Sequence, residues 1–327
     1  MNHITAEVAC AKTAPTPDMP RLDFVWLELT NRCNLHCVHC YTESGPQTGD
    51  LDKLAIPDYV STMHQAFALG CRSMQFIGGE PQLNRDFPVL LAEAIRIGFP
   101  FIEVFSNLTF LTEDTLRYAA THGIHFATSV YSDEAAVHDT ITGVRGSHTK
   151  TIHNLKRLIG AGVTTRAGTI RIDQDDAMMD RTRRFLLDLG VSLVRSSDVR
   201  EFGRGEKVLG REAQMSGLCG HCWNGKLCVA PDGEVFPCVM ARQWPVGNIR
   251  QTELADIVRG MPLRHIRREI YETVWLPKID YMGCTPECPQ SCAPDYSSCT
   301  PMTCDPQSCP QSCSPPYMPD CTPDLPQ

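Results

Sequence analysis

Cys33, Cys37 and Cys40 lie on one short stretch, Thr-Asn-Arg-Cys-Asn-Leu-His-Cys-Val-His-Cys-Tyr, and nothing else in the chain constrains it as tightly. Three thiolates on a single loop can hold three irons of a [4Fe–4S] cube and leave the fourth iron open to a small molecule. Zinc is the other chemistry that nearby cysteines serve. The surroundings fix where such a loop sits. Phe24 to Thr30 alternates and branches like a buried strand, and Asn31 and Arg32 start the loop at its carboxyl end, where barrel enzymes carry their chemistry. One strand later, Ser73 to Ile77 runs into Gly78-Gly79-Glu80-Pro81. Paired glycines let backbone approach a ligand with no Cβ in the way, and the carboxylate that follows can accept from a cationic amine.

From about Leu22 to about Arg204, strand-like runs alternate with helical patterns at roughly thirty-residue intervals, the signature of repeated βα units around a parallel sheet. Strands are expected near 24–30, 73–77, 101–106, 124–131, 165–172 and 191–197. Helices are expected near 57–69, 87–97, 112–121, 134–160 (broken at Gly143 and Gly146) and 176–189. Six units give an α/β fold, a partial (β/α)6 TIM-like barrel over residues 22–205. Pro57 suits a first helical turn, and Gly70 and Gly123 suit helix ends. Residues 1–21, rich in Ala, Thr and Pro, read as a flexible N-terminal arm. Between Glu201 and Gly217 the composition turns to Gly, Arg and Glu, marking an exit from the barrel. Residues 216–327 then read as a small, cysteine-rich domain held by metal more than by core.

Composition removes several functions. The net charge is −8 and the basic residues are dispersed, so nothing supports nucleic-acid binding. No run approaches the roughly 18 apolar residues of a membrane helix, and no targeting segment is evident, which points to the cytoplasm. Of the 17 cysteines, none lies between Cys71 and Cys219 and twelve lie from Cys219 onward. In a compartment where thiols stay reduced, that crowding indicates metal ligation and not disulfides.

Within the second region, Cys222 is followed by ten residues, Gly233, four more residues and Cys238. Pro231-Asp232-Gly233 forms a turn between two short strands, Lys226 to Ala230 and Glu234 to Pro237, which brings the two cysteines together. Beyond it, Cys284, Cys288, Cys292, Cys299, Cys304, Cys309, Cys313 and Cys321 crowd the tail, often as Cys-x-Pro. Proline stiffens each turn and removes a donor, so such a segment wraps a metal group more easily than it forms a helix.

The cysteine loop and the Gly-Gly-Glu-Pro segment resemble those of the radical S-adenosylmethionine (SAM) superfamily. The Cys222 to Cys238 run resembles the opening of the SPASM domain, or its shorter Twitch form, an auxiliary iron–sulfur module of peptide-maturing members. The resemblance implies that Cys33, Cys37 and Cys40 carry a catalytic [4Fe–4S] cluster whose open iron binds SAM. Reductive cleavage then yields a 5′-deoxyadenosyl radical that takes hydrogen from substrate. It implies that Gly78, Gly79, Glu80 and Pro81 hold the SAM amino group, and that one or two auxiliary clusters draw on Cys222, Cys238 and the tail cysteines.

Asn107 ends the third strand, where relatives carry Thr-Asn-Gly, and reads either as a ribose ligand or as a turn former. Ser129 ends the fourth strand, at a position that relatives use near SAM, although the usual continuation is replaced by Val130-Tyr131-Ser132-Asp133. Arg171 can clamp the SAM carboxylate or pair with Asp173, Asp175 or Asp176. His39 reads as a packing ring and His138, in a stretch common among peptide-modifying members, as structural. Cys219 and Cys228 are ligands, reserve thiols or hydrogen-atom donors, and Cys71 is a buried free thiol.

The function implied is maturation of a ribosomally made peptide by cross-linking, oxidation or epimerisation, with electrons from a donor such as ferredoxin or flavodoxin. A barrel that starts about twenty residues in leaves no leader-recognition domain before it, which counts against a peptide. A sugar or aminoglycoside dehydrogenase or epimerase uses the same parts. A non-catalytic zinc protein is the reading from another class, and it gives Gly78 to Pro81 no purpose.

Overall fold

Short strands that alternate with amphipathic helices leave a chain one economical arrangement, a parallel sheet with helices covering its outer face. The computed structural model, which describes residues 16–49 and 52–281, has this arrangement. Strands β1 (Phe24–Glu28), β2 (Ser73–Ile77), β3 (Phe101–Phe105), β4 (His125–Ser129), β5 (Thr165–Arg171) and β6 (Leu193–Asp198) lie side by side in sequence order. All five pairings are parallel. Right-handed crossovers that always advance in one direction curl such a sheet into a partial barrel.

The crossovers are α1 (Ile56–Ala68), α2 (Phe87–Ile97), α3 (Glu113–His122), α4 (Ala135–Thr142) with α5 (Ser147–Gly160), and α6 (Asp176–Asp188). Their ends follow local chemistry. Thr112 accepts from the Thr115 amide and Asp175 from the Met178 amide, each capping a helix start. The expected break between α4 and α5 falls at Gly143 and Gly146, both left-handed at φ 70° and 83°. Residues alternate between two faces along each strand. Val25 and Leu27 join Met74, Phe76, Val104 and Phe126 in the core under the helices, while Phe24 and Trp26 face the barrel interior.

The described part of the second region, up to Tyr281, shares the barrel's core. After α7 (Arg204–Leu209), strand β7 (Lys226–Val229) adds to the free edge of β1 in parallel, with Trp26 opposite Cys228. Strands β8 (Glu234–Phe236) and β9 (Gly247–Asn248) follow antiparallel, giving nine strands in the order β6-β5-β4-β3-β2-β1-β7-β8-β9. Val229, Val235, Val246, Leu254 and Ile257 belong to the same core as the barrel, so this hairpin is fastened by apolar burial before any metal is considered. Helices α8 (Leu254–Arg259), α9 (Met261–Ile270) and α10 (Leu276–Tyr281) close the described region. Among the described residues no helix is long and apolar enough to cross a membrane. Most of the N-terminal arm and all tail cysteines from Cys284 to Cys321 lie outside the described residues.

Phe76, fully buried on β2, packs edge-on against Phe87 of α2 with ring centroids 6.2 Å apart. Phe76→Ala should cost about 3–5 kcal/mol, measured as a lower midpoint in chemical denaturation; an unchanged midpoint would contradict this packing.

Candidate active site

An irregular loop that carries three sulfurs pairs only some of its backbone groups within itself, so other elements must supply partners for the rest. The loop after β1 shows which ones do. The amides of His36 and Val38 donate to the carbonyls of Thr142 (2.9 Å) and Ile141 (2.9 Å), at the carboxyl end of α4. The Cys33 amide donates to Gly45 O at 3.0 Å. On the carbonyl side, Arg204 of α7 donates from Nε to Cys37 O (2.7 Å), from Nη2 to Ser44 O (2.8 Å) and from its amide to Cys40 O (3.0 Å). The preceding Gly203 has φ 55°, and a Cβ there would stand 2.5 Å from Tyr41 O and 2.6 Å from Cys40 O.

The sulfurs have donors of their own. The Leu35 amide lies 3.4 Å and Asn107 Nδ2 3.6 Å from Cys33 Sγ, and Thr42 Oγ1 lies 3.2 Å from Cys40 Sγ. The Tyr131 phenol bonds Cys37 and Ser129. Burial pushes the thiols of Cys33 and Cys37 up to about 12. His39 packs edge-on against Tyr131, 4.9 Å between centroids, as the expected packing ring, and burial reinforced by Arg204 lowers it to about 4.

Gly78 to Pro81 lie against the cysteine loop. The Gly79 amide donates to Thr30 O and the Glu80 amide to Arg32 O, both at 2.8 Å. A Cβ on Gly79 would overlap the Arg32 carbonyl, and one on Gly78, where φ is 139°, would lie 2.5 Å from Thr30 O. The glycines therefore let backbone approach backbone, seating the cysteine loop on the end of β2. Glu80, 1% exposed, accepts from Gln82 N (3.1 Å), Ser106 Oγ (2.9 Å) and Asn107 N (2.8 Å). Its carboxyl positions Asn107, and burial pushes it up to about 7 against those hydrogen bonds.

A cavity of about 280 Å³ opens at the carboxyl ends of the strands, lined by Cys33, Cys37, Cys40, Gly78, Gly79, Asn107 and Ser129. Glu80, Pro81 and Arg171 are not among its lining residues. Arg171 pairs with Asp176 (2.5 Å) and Asp198 (2.9 Å), so the ion-pair alternative is the one present. Instead Arg166 and Arg195, from β5 and β6, reach the cavity. Arg166 is held to buried Glu103 by two bonds of 2.8 and 2.7 Å, and Gln75 also donates to that carboxylate. Strand patterning had given no reason to single out these interior polar residues.

Cys222 and Cys238, brought together by the β7–β8 hairpin, have sulfurs 2.6 Å apart. Cys219 also bonds Cys222, and these two sulfur neighbours, with burial, raise the Cys222 thiol well above its usual range. Cys219 thus joins the group by position, whereas Cys228, wholly buried, is turned to Glu28. Among the described residues no three His, Cys, Asp or Glu side chains converge as ligands of a single ion. A four-iron cube takes each thiolate on a different iron.

A model of the radical SAM superfamily matches residues 27–186, and a model of an iron-sulfur cluster-binding domain, SPASM, matches residues 219–292. The barrel region is thus that of the radical SAM superfamily, and the hairpin region that of the SPASM domain. The chain's relatives include the antilisterial bacteriocin subtilosin biosynthesis protein AlbA of Bacillus subtilis (strain 168), 24% identical over 286 residues, 77% of this chain and 63% of that protein. The chain thus spans less than two thirds of that relative's length. A PqqA peptide cyclase of Streptomyces rochei is 28% identical over 274 residues, 71% of this chain and 74% of the cyclase. Streptococcus suis SuiB bound to S-adenosylmethionine shares the fold with a TM-score of 0.62 at 15% identity, over 76% of this chain and 68% of that one.

The radical SAM loop fits a [4Fe–4S] group on its own chemistry. Three thiols line one cavity, donors stand at two of the sulfurs and a phenol at the third, and burial disfavours bare thiolates, so a cationic iron is what would deprotonate them. The second group of thiols, Cys219, Cys222 and Cys238, has its sulfurs together and lies within the span of the iron-sulfur cluster-binding model.

Glu80 gives a pH test. Its folded pKa near 7 stands above the unfolded value of 4.5, so its contribution to stability is complete below about 4.5 and is lost as pH rises through about 7. Melting temperatures of the wild type and Glu80→Gln, compared from pH 5 to 8, should show the wild type's relative advantage falling as pH rises. A difference that does not change with pH would refute the assignment.

Proposed function

We propose that this chain matures a ribosomally made peptide by radical SAM chemistry, with Cys33, Cys37 and Cys40 as ligands of the catalytic cluster. Cys219, Cys222 and Cys238, with tail cysteines among Cys284, Cys288, Cys292, Cys299, Cys304, Cys309 and Cys313, would hold the auxiliary cluster or clusters. Residues 22–205 would form the catalytic module and 216–327 the auxiliary one. When bound, a reduced cluster with an open iron supplies the electron that breaks a SAM carbon–sulfur bond, giving a radical able to abstract hydrogen.

The observation that carries the reading is a single cavity with two kinds of wall. Cys33, Cys37 and Cys40 line one part of it, and Val239 and Met240, which directly follow Cys238, line another. A molecule that fills it touches the cysteine loop on one side and the two residues next to Cys238 on the other. The names of the relatives, a bacteriocin biosynthesis protein and a peptide cyclase, support a peptide as that molecule.

The chain's own residues do the remaining work. Gly78 and Gly79 seat the loop, Glu80 fixes Asn107, and Asn107 and Ser129 offer polar atoms at the cavity wall for a nucleoside. Tyr131, His39 and Phe202 close the wall with rings that exclude water. Electrons would come from a cytoplasmic low-potential donor of the ferredoxin or flavodoxin kind.

Anaerobic protein given SAM and a low-potential reductant should release 5′-deoxyadenosine, and Cys37→Ala should reduce release to background. Undiminished turnover in that variant would refute the ligand assignment. Mass spectrometry of candidate peptides and of aminoglycosides should find the change on a peptide. Loss of two hydrogens would mean oxidation or cross-linking, and unchanged mass with one solvent deuterium would mean epimerisation; change confined to an aminoglycoside would overturn the peptide reading.

A further inference from the structure

Arg204 stands outside every motif of the sequence, yet its side chain hydrogen-bonds the cysteine loop at two carbonyls. Its Nε and Nη2 donate to the carbonyls of Cys37 and Ser44, its amide donates to Cys40 O, and Gly203 before it makes the approach sterically feasible. The guanidinium is partly buried, and its partners among the described residues are carbonyl oxygens, with no carboxylate among them. A desolvated cation held only by dipoles keeps its full charge, and it directs that charge at whatever the loop carries.

We propose that Arg204 is a positioning residue with two linked tasks: it locks the loop between Cys37 and Ser44, and its charge raises the reduction potential of a cluster bound there. The inference rests on the reading of Cys33, Cys37 and Cys40 as cluster ligands. Three thiolates on a [4Fe–4S]2+ core leave a net charge of about −1, which reduction makes about −2. A nearby fixed cation stabilises the reduced form more than the oxidised one. The forked geometry matters separately. One planar guanidinium spans two carbonyls seven positions apart in sequence, which an ammonium on a flexible stem cannot hold together as well.

Arg204→Gln removes the charge, and Arg204→Lys keeps the charge but gives up the fork. Reconstituted full-length proteins would be compared without SAM by iron content, circular dichroism and EPR-monitored redox titration of the loop cluster. Expected are a shift to lower potential in Arg204→Gln, a potential near wild type in Arg204→Lys, and lower iron retention in both on exposure to a chelator. A wild-type potential and full iron in Arg204→Gln would overturn the inference. An equal potential drop in both variants, or an Arg204→Lys protein that folds but binds no iron, would overturn the charge role and reduce Arg204 to a clamp. Should the wild type itself show no cluster signal, the reading of the three cysteines fails, which is a different result from either.

Discussion

The loop that presents Cys33, Cys37 and Cys40 depends for its shape on hydrogen bonds to backbone it is not part of. Its amides reach Ile141 and Thr142, its carbonyls reach Arg204, and the strand end beside it is paired by Gly79 and Glu80. The α4 contact resolves two deficits at once. The last carbonyls of a helix have no partner within it, and the loop amides have none within the loop. Gly143 makes the fit close, with φ 70° and a Cβ position 3.0 Å from His36 O. The His138-to-Gly143 stretch is therefore a clamp on the cysteine loop more than a catalytic segment.

Glu28 is where three parts of the chain meet. It ends β1, it is 1% exposed, and Arg242 holds it at 2.6 Å while the Tyr41 hydroxyl donates from 3.4 Å. Tyr41 follows Cys40 and Arg242 lies four residues after Cys238, so a single carboxylate ties together the barrel, the cysteine loop and the hairpin region. Such a buried pair adds little net stability, but losing either partner strands a charge in the interior, so it specifies geometry. The same register is enforced by β7 on the edge of β1.

Much of this architecture was legible because it rests on local patterns. Six strands and their crossovers follow from alternation, and the break between α4 and α5 follows from two glycines. Long-range polar contacts leave no such trace. Arg204 and Cys37 are 167 positions apart, and nothing in the periodicity of either segment shows that they touch. Glu80 was legible as a functional carboxylate but not its direction, because three donors from Gln82, Ser106 and Asn107 decide where it points. Arg171 lost its expected place to two nearby carboxylates, and one of them, Asp198, enters only through the pairing of β5 with β6. Cys219 did carry a signal, its Cys-x2-Cys spacing to Cys222, which is a metal-ligand spacing.

The division of labour within the cavity follows from which walls are constrained. On the cysteine side, a Cβ on Gly79 or Gly203 meets backbone, so that wall tolerates no change of volume. On the β5 side, Gly168 lines the cavity with an ordinary φ, and a Cβ there would meet nothing within 4 Å. Neither backbone strain nor packing demands a glycine at that position; it simply leaves space. Beside it, Arg166 is neutralised by Glu103 and buttressed by Gln75, giving hydrogen-bonding capacity without a net charge from that trio. The part of the cavity that can vary in size and polarity is thus the β5 side, where packing is freest. Size and polarity can change on the β5 side while the wall that carries the three cysteines stays fixed.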